Sequence, residues 1–93
     1  MKRILVVDDQ QSMREMLAIM LTKEGYEVLA ADRRTQAAAA LAKAPVDMVI
    51  TDIRLPDGDG IEILRHVKAA SPDTAVVVMT AFGVGVAAAA GGC

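Results

Sequence analysis

The chain opens with an unbroken apolar run, Ile4-Leu5-Val6-Val7, which Asp8-Asp9 cuts short. A short continuous run of this kind fits a central strand buried on both faces of a parallel sheet. Ser12 then reads as a helix N-cap, with Glu15 completing a capping box. Met13, Met16, Leu17, Met20 and Leu21 fall at i, i+3, i+4, i+7 and i+8, the stripe of an amphipathic helix. Methionines so placed read as core filler. Gly25 is positioned to stop that helix, and Tyr26-Glu27-Val28-Leu29-Ala30 reads as a second strand. Residues 32–44 form an alanine-rich helix that Pro45 ends. Residues 46–52 are a third strand, which delivers Asp52 to its tip and passes at once into the turn 53–60. Ile61, Leu64 and Val67 space out a third helix, closed by Ser71-Pro72-Asp73, and residues 74–80 are a fourth strand.

Strands alternating with helices imply βαβ units with right-handed crossovers: an α/β fold, a parallel sheet with helices on both faces. In such sheets chemistry collects at the carboxyl ends of the strands. Three of the predicted strands end there in Asp8-Asp9, in Asp52 and in Thr80.

Composition narrows the class. The 93 residues are 54 % apolar, with one Phe, one Tyr and no Trp, which suits a single small domain with an aliphatic core and excludes disorder. A net charge of −2 gives no global field toward nucleic acid or an anionic membrane. The basic start, Met1-Lys2-Arg3, is followed by only four apolar residues, too few for a signal peptide, and no stretch has the length of a membrane span. Cys93 is the sole cysteine, so the chain can form no internal disulfide and no cysteine metal site. The expected compartment is the cytoplasm.

Three aspartates at one rim would repel one another. At ~4 Å each pair costs about 1 kcal/mol in water and about 4 kcal/mol at an effective dielectric of 20. Such a cluster takes up protons or holds a cation, and an all-oxygen donor set suits Mg²⁺. A carboxylate beside such an ion is equipped to act as nucleophile in phosphoryl transfer, with Thr80 as a hydrogen-bond donor to the phosphoryl group. Taken singly, each Asp also fits a turn former or a helix cap. Other chemistries find no support. Asp57-Gly58-Asp59-Gly60 lacks the spacing and closing glutamate of a calcium loop, and reads as a tight turn. Gly83 and Gly85 make no dinucleotide fingerprint, there is no phosphate-loop lysine motif, and the lone His66 reads as a surface residue.

The residues Ile4-Leu5-Val6-Val7-Asp8-Asp9, Gly25-Tyr26-Glu27-Val28, residues 47–56, Asp59-Gly60 and Val78-Met79-Thr80-Ala81, in this order and spacing, resemble the receiver domain of two-component response regulators. Ser71-Pro72-Asp73 and residues 79–83 look most like receivers of transcriptional activators. The resemblance implies a flavodoxin-like fold in which Asp52 accepts a phosphoryl group from a sensor histidine kinase in a Mg²⁺-dependent reaction. It implies that Asp9 binds the ion directly, that Asp8 does so largely through water, and that the Arg54 carbonyl is a further ligand beside Asp52. Thr80 would be the switch hydroxyl, and Pro56 and Gly60 would shape the loop after the phosphoacceptor strand. A receiver is a phosphoacceptor rather than a turnover enzyme.

The departures from the family pattern set further expectations. No lysine follows Lys68, so the family's catalytic lysine has no counterpart in this sequence. The expected strand order is 2-1-3-4, with the fifth strand and helix missing, a receiver unit over residues 1–83 and an atypical Ala/Gly tail over 84–93 with at best a short alanine helix. An exposed fourth-strand edge is a template for pairing with a second copy. That gives an alternative function, a switch-incompetent fragment that self-associates, and a third class is a Mg²⁺-dependent phosphatase on a similar rim.

Overall fold

A computed structural model describes residues 2–80 and 83–85. The elements are β1 (Arg3–Val7), α1 (Gln11–Lys23), β2 (Glu27–Ala31), α2 (Arg34–Lys43), β3 (Met48–Asp52), β4 (Arg54–Leu55), β5 (Gly58–Asp59), α3 (Gly60–Ala70), β6 (Ala75–Thr80) and β7 (Gly83–Gly85). The main sheet runs β2-β1-β3-β6-β7, and β4 with β5 forms a separate two-stranded hairpin. The first four strands of the main sheet are parallel, in the order the sequence leads one to expect. Right-handed crossovers put α1 on one face and α2 with α3 on the other. In agreement, α1 packs on β1 and β2, while α2 and α3 touch each other.

The register explains the core. Leu5 stands beside Val49, and Val49 beside Val76. In-register neighbours on adjacent strands share a face, and all three are fully buried, where they meet Ala37 of α2 and Ile63 and Val67 of α3. β1 has a strand on either side and helices over both faces, so Leu5, Val6 and Val7 are all 0 % exposed. The apolar run at the start of the chain is therefore the centre of the molecule.

Four local expectations are corrected. Helix α1 begins at Gln11, with Gln10 in the N-cap position and no side-chain cap, so Ser12 lies inside the first turn. The turn is set from outside, because the Asp8 carboxylate accepts the Gln10 N–H at 2.9 Å. Glu15 accepts from the Gln11 side chain at 2.9 Å instead of closing a capping box. The methionine stripe is not fully core: Met13 is partly buried but Met16 is 47 % and Met20 54 % exposed, because α1 is the lone described helix on its face and packs mainly on β1 and β2. On α3 the buried positions are Gly60, Ile63 and Val67, with Ile61 and Leu64 only partly covered. Finally, the fourth-strand edge is not bare. β7 returns antiparallel along β6, pairing Gly83 with Thr80, Val84 with Met79 and Gly85 with Val78. It crosses the expected boundary between residues 83 and 84, and it is a hairpin return where the family pattern has a parallel fifth strand. The expected alanine helix lies outside the described residues, as do Ala81, Phe82 and the side chain of Thr80.

Burial fixes what substitution should cost. Leu5→Ala is expected to destabilise by about 2–5 kcal/mol through cavity formation. Met20→Ala should stay within about 0.5 kcal/mol, as for a solvent-facing site. Urea unfolding of the two variants beside the parent measures both.

Candidate functional site

The strand register builds the acidic rim. Val7 is level with Thr51 on the neighbouring strand, so the next residue of each chain, Asp8 and Asp52, emerge side by side. Asp9 follows Asp8 around the turn into α1. One carboxylate oxygen from each of Asp8, Asp9 and Asp52 lies within 4.8 Å of the others. Asp8 is buried, Asp52 partly buried and Asp9 exposed, which leaves the cluster open on the solvent side. All three donors are hard oxygens and the site is accessible to water, a fit for a small divalent cation that keeps part of its hydration shell.

Backbone contacts hold Asp8 and Asp52. The Asp8 N–H donates to the Ala31 carbonyl at 3.1 Å, which ties the tip of β1 to the tip of β2. Arg14, one turn into α1, donates from Nη1 to the Asp8 carbonyl at 2.8 Å. At the next strand the Thr51 hydroxyl is buried and donates to the Asp52 carbonyl at 2.9 Å. The Arg54 N–H reaches the Asp52 carboxylate at a long 3.4 Å, and the Ile53 N–H donates to the Met79 carbonyl at 2.9 Å.

Gly60 lies against this strand end, where a Cβ would stand 2.6 Å from the Asp52 carbonyl oxygen. No side chain fits there without moving the backbone that presents Asp52. Pro56 is exposed in the turn of the β4–β5 hairpin, and Arg54 pairs with Asp59 across that hairpin. Thr80 is the residue after Met79, which stands level with Asp52, so its backbone is at the correct strand tip.

Electrostatics follow from the crowding. Burial pushes the Asp8 carboxyl up from its ordinary 3.8, and the Gln10 N–H opposes that rise. The charges of Asp52 and Asp9 add to it and Arg14 draws it back, and the balance leaves it raised. Two contributors were missed in the sequence. Arg14 is a cation placed a helical turn from an acidic strand end. Asp57 accepts the N–H groups of Arg34 and Thr35 at 2.7 and 3.0 Å. The second left no local signal, because it acts between segments 22 and 23 positions apart. His66 is exposed, as expected, beside an open cavity of about 480 Å³ at the far end of the sheet from the rim.

A doubly wound parallel sheet with three carboxylates converging at its carboxyl edge belongs to the class of open α/β domains whose ligand sites lie outside the carboxyl ends of the strands. Within that class the family is identified by comparison, since the response regulator receiver domain model matches residues 4–91. The chain belongs to the response regulator receiver family. It is 39 % identical over 82 residues to the sporulation initiation phosphotransferase F of Bacillus subtilis, covering 88 % of this chain and 66 % of that protein. It is 41 % identical over 83 residues to the transcriptional regulatory protein AruR of Pseudomonas aeruginosa, covering 84 % of this chain and 34 % of that one. A solved structure of the response regulator protein TrrA of Thermotoga maritima, in complex with Mg²⁺ and BeF, matches with a TM-score of 0.81 and 37 % identity, over 87 % of this chain and 70 % of that one. The chain thus spans about two thirds of the first relative and one third of the second.

The raised Asp8 carboxyl makes a signed pH prediction for cation-free protein. A carboxyl that holds its proton more tightly when folded contributes stability present below the unfolded value near 3.8, and that stability is lost as pH rises through the folded value. Asp8→Asn removes the loss. With chelator present at pH 7 the variant is expected to melt above the parent, and the difference should vanish toward pH 3. Thermal melts across pH measure it.

Proposed function

We infer that this chain is a phosphoacceptor module of a two-component system, with Asp52 as the accepting residue. The observation that carries the reading is the convergence of Asp8, Asp9 and Asp52 to within 4.8 Å at the carboxyl rim of the sheet. Asp52 Oδ attacks the phosphorus of a phosphohistidine on a sensor histidine kinase; a P–O bond forms, the P–N bond breaks, and its electron pair returns to the imidazole, which takes up a proton. Asp9, Asp52 and the Arg54 carbonyl would hold Mg²⁺ directly, and Asp8 would do so largely through water. When bound, Mg²⁺ supplies positive charge toward the phosphoryl oxygens.

The protein's own part is positioning. The β1–β3 register sets the separation of Asp8 and Asp52, Gly60 lets the loop close onto Asp52, and Pro56 stiffens the turn. Thr80 belongs to the tip of the neighbouring strand, and its hydroxyl would move onto the phosphoryl group and so bias the conformation of the domain. The module works by shifting a population rather than by turnover, and the cytoplasm is its compartment. Among the described residues no helix is long and apolar enough to cross a membrane. The kinase is the partner, and nucleic acid is not bound by this segment. Self-association through the β6 edge is the weaker reading, since β7 already takes the backbone groups of Val78, Met79 and Thr80 on that side.

The test is an intact-mass spectrum after incubation with a small phosphodonor and Mg²⁺, with Asp52→Asn alongside. The parent should gain one phosphoryl group and the variant none. No gain in either, or an equal gain in both, overturns the assignment to Asp52.

A further inference from the structure

The loop that follows Asp52 is anchored by the buried Leu55 and at its ends, where the Ile53 N–H bonds the Met79 carbonyl, the Gly60 N–H bonds the Ile53 carbonyl and Asp59 accepts the Glu62 N–H. Its only ladder is the β4–β5 hairpin, two residues on each side, and an isolated two-stranded hairpin is marginal in water. Yet this loop carries the Arg54 carbonyl and leads into Gly60, both of which have to stay in register with Asp52. Helix α2 has the complementary deficit. Its N-cap residue, Arg33, is extended and makes no side-chain cap, so the N–H groups of its first turn need an acceptor from elsewhere.

Asp57 answers both needs. Its Oδ1 accepts the Arg34 N–H at 2.7 Å and its Oδ2 accepts the Thr35 N–H at 3.0 Å. The Arg34 side chain returns the contact, donating from Nε to the Asp57 carbonyl at 3.2 Å. The same guanidinium lies 3.4 Å from the Glu62 carboxylate in the first turn of α3. Gly58 packs directly on the Arg34 stem, where a Cβ would come within 2.8 Å of Cδ and Nε. Burial opposes ionisation of Asp57, but the Thr35 and Arg34 N–H groups outweigh it and hold the carboxyl below its ordinary value.

We propose that Asp57 is a positioning residue for the phosphoacceptor site: by capping α2 from a distance it clasps the loop 53–60 to that helix and fixes the Arg54 carbonyl relative to Asp52. The assignment rests on the cation and phosphoryl reading of the rim for its functional consequence. The clasp itself is a property of the fold. Because α2 starts where β2 ends, beside the tip of β1, the clasp also connects the loop to the strand pair that carries Asp8. The three carboxylates thus share one frame, β1 and β2 on one side and α2 and the loop on the other.

The test separates a clasp from an ordinary helix cap. Asp57→Ala should speed amide exchange in two places, the first turn of α2 and the loop, the Gly60 N–H that bonds the Ile53 carbonyl included. It should also weaken Mg²⁺ binding in a calorimetric titration about ten-fold, the scale on which outer partners of metal ligands act. The double variant Asp57→Ala/Arg33→Ser gives α2 a local cap. It should restore protection of the α2 turn while the loop stays fast and Mg²⁺ binding stays weak. Asp57→Asn, which keeps one acceptor oxygen, should fall between parent and Asp57→Ala, and serves if the alanine variant does not fold. If the double variant recovers both loop protection and Mg²⁺ affinity, or if Asp57→Ala leaves the loop unchanged, the clasp is overturned. A parent that binds no Mg²⁺ would remove the cation reading, and the exchange data would still decide the clasp.

Discussion

The constraint on which the rest depends is the register of β1 between β2 and β3. Leu5, Val6 and Val7 are wholly buried, and each is locked laterally to a partner on both sides. A shift of one residue would turn every one of these side chains to the other face, so the register has no near-equal alternative. That rigidity is what allows Asp8 and Asp52 to stand together. Like charges at such a distance push apart, and a loosely held strand end would yield. Here the apolar core below the rim holds the carboxylates in place, and burial, with the charges of Asp52 and Asp9 adding to it, leaves the Asp8 carboxyl raised.

The two faces of the sheet are unequal, and the inequality bears on how the rim is supported. On the α2–α3 face Val49, Val76 and Val78 are buried, whereas Ile50 and Val77, side by side on the opposite face, are only partly covered. At β3 and β6 the α2–α3 face is therefore the more closely covered one. The loop after Asp52 is fastened to this face, through Asp57 to α2 and through Asp59 to α3, whose first turn it caps by accepting the Glu62 N–H at 2.9 Å. Support for the site comes from the well-packed side of the molecule.

The four parallel strands and the gathering of Asp8, Asp9 and Asp52 were legible because each rests on a short-range pattern, whereas the strand order came from the family resemblance. An apolar run ended by an acid gives the strand and its tip, and the alternation with helices gives the crossover. What was not legible depends on contacts between distant segments. Ser12 carries a capping signal, but Asp8 sets the start of α1 and leaves Ser12 inside it. Met16 and Met20 obey the helical period, yet the period says which side of a helix is apolar and not how much of it a neighbour covers. Gly83-Val84-Gly85 has poor strand propensity, and it pairs because β6 offers it an edge. The Asp57 cap links residues 22 and 23 positions apart and leaves no local mark in the sequence.

The aspartates around the rim show why residue type alone does not assign a role. Asp57 and Asp59 meet the N-termini of helices, where unpaired N–H groups and the positive end of the dipole favour a negative carboxylate. Asp8, Asp9 and Asp52 meet strand ends, where backbone groups are largely used up by the sheet. Asp8 finds a single N–H, that of Gln10, and Asp52 a long contact to that of Arg54. The consequence is visible in opposite shifts, downward at Asp57 and upward at Asp8. The fold thereby sorts identical side chains into two populations, those whose charge is satisfied by the protein and those whose charge is not. Asp57, with both oxygens bonded to N–H groups of α2, has none to spare for a cation, whereas Asp8, Asp9 and Asp52 each bring a carboxylate oxygen to the common cluster.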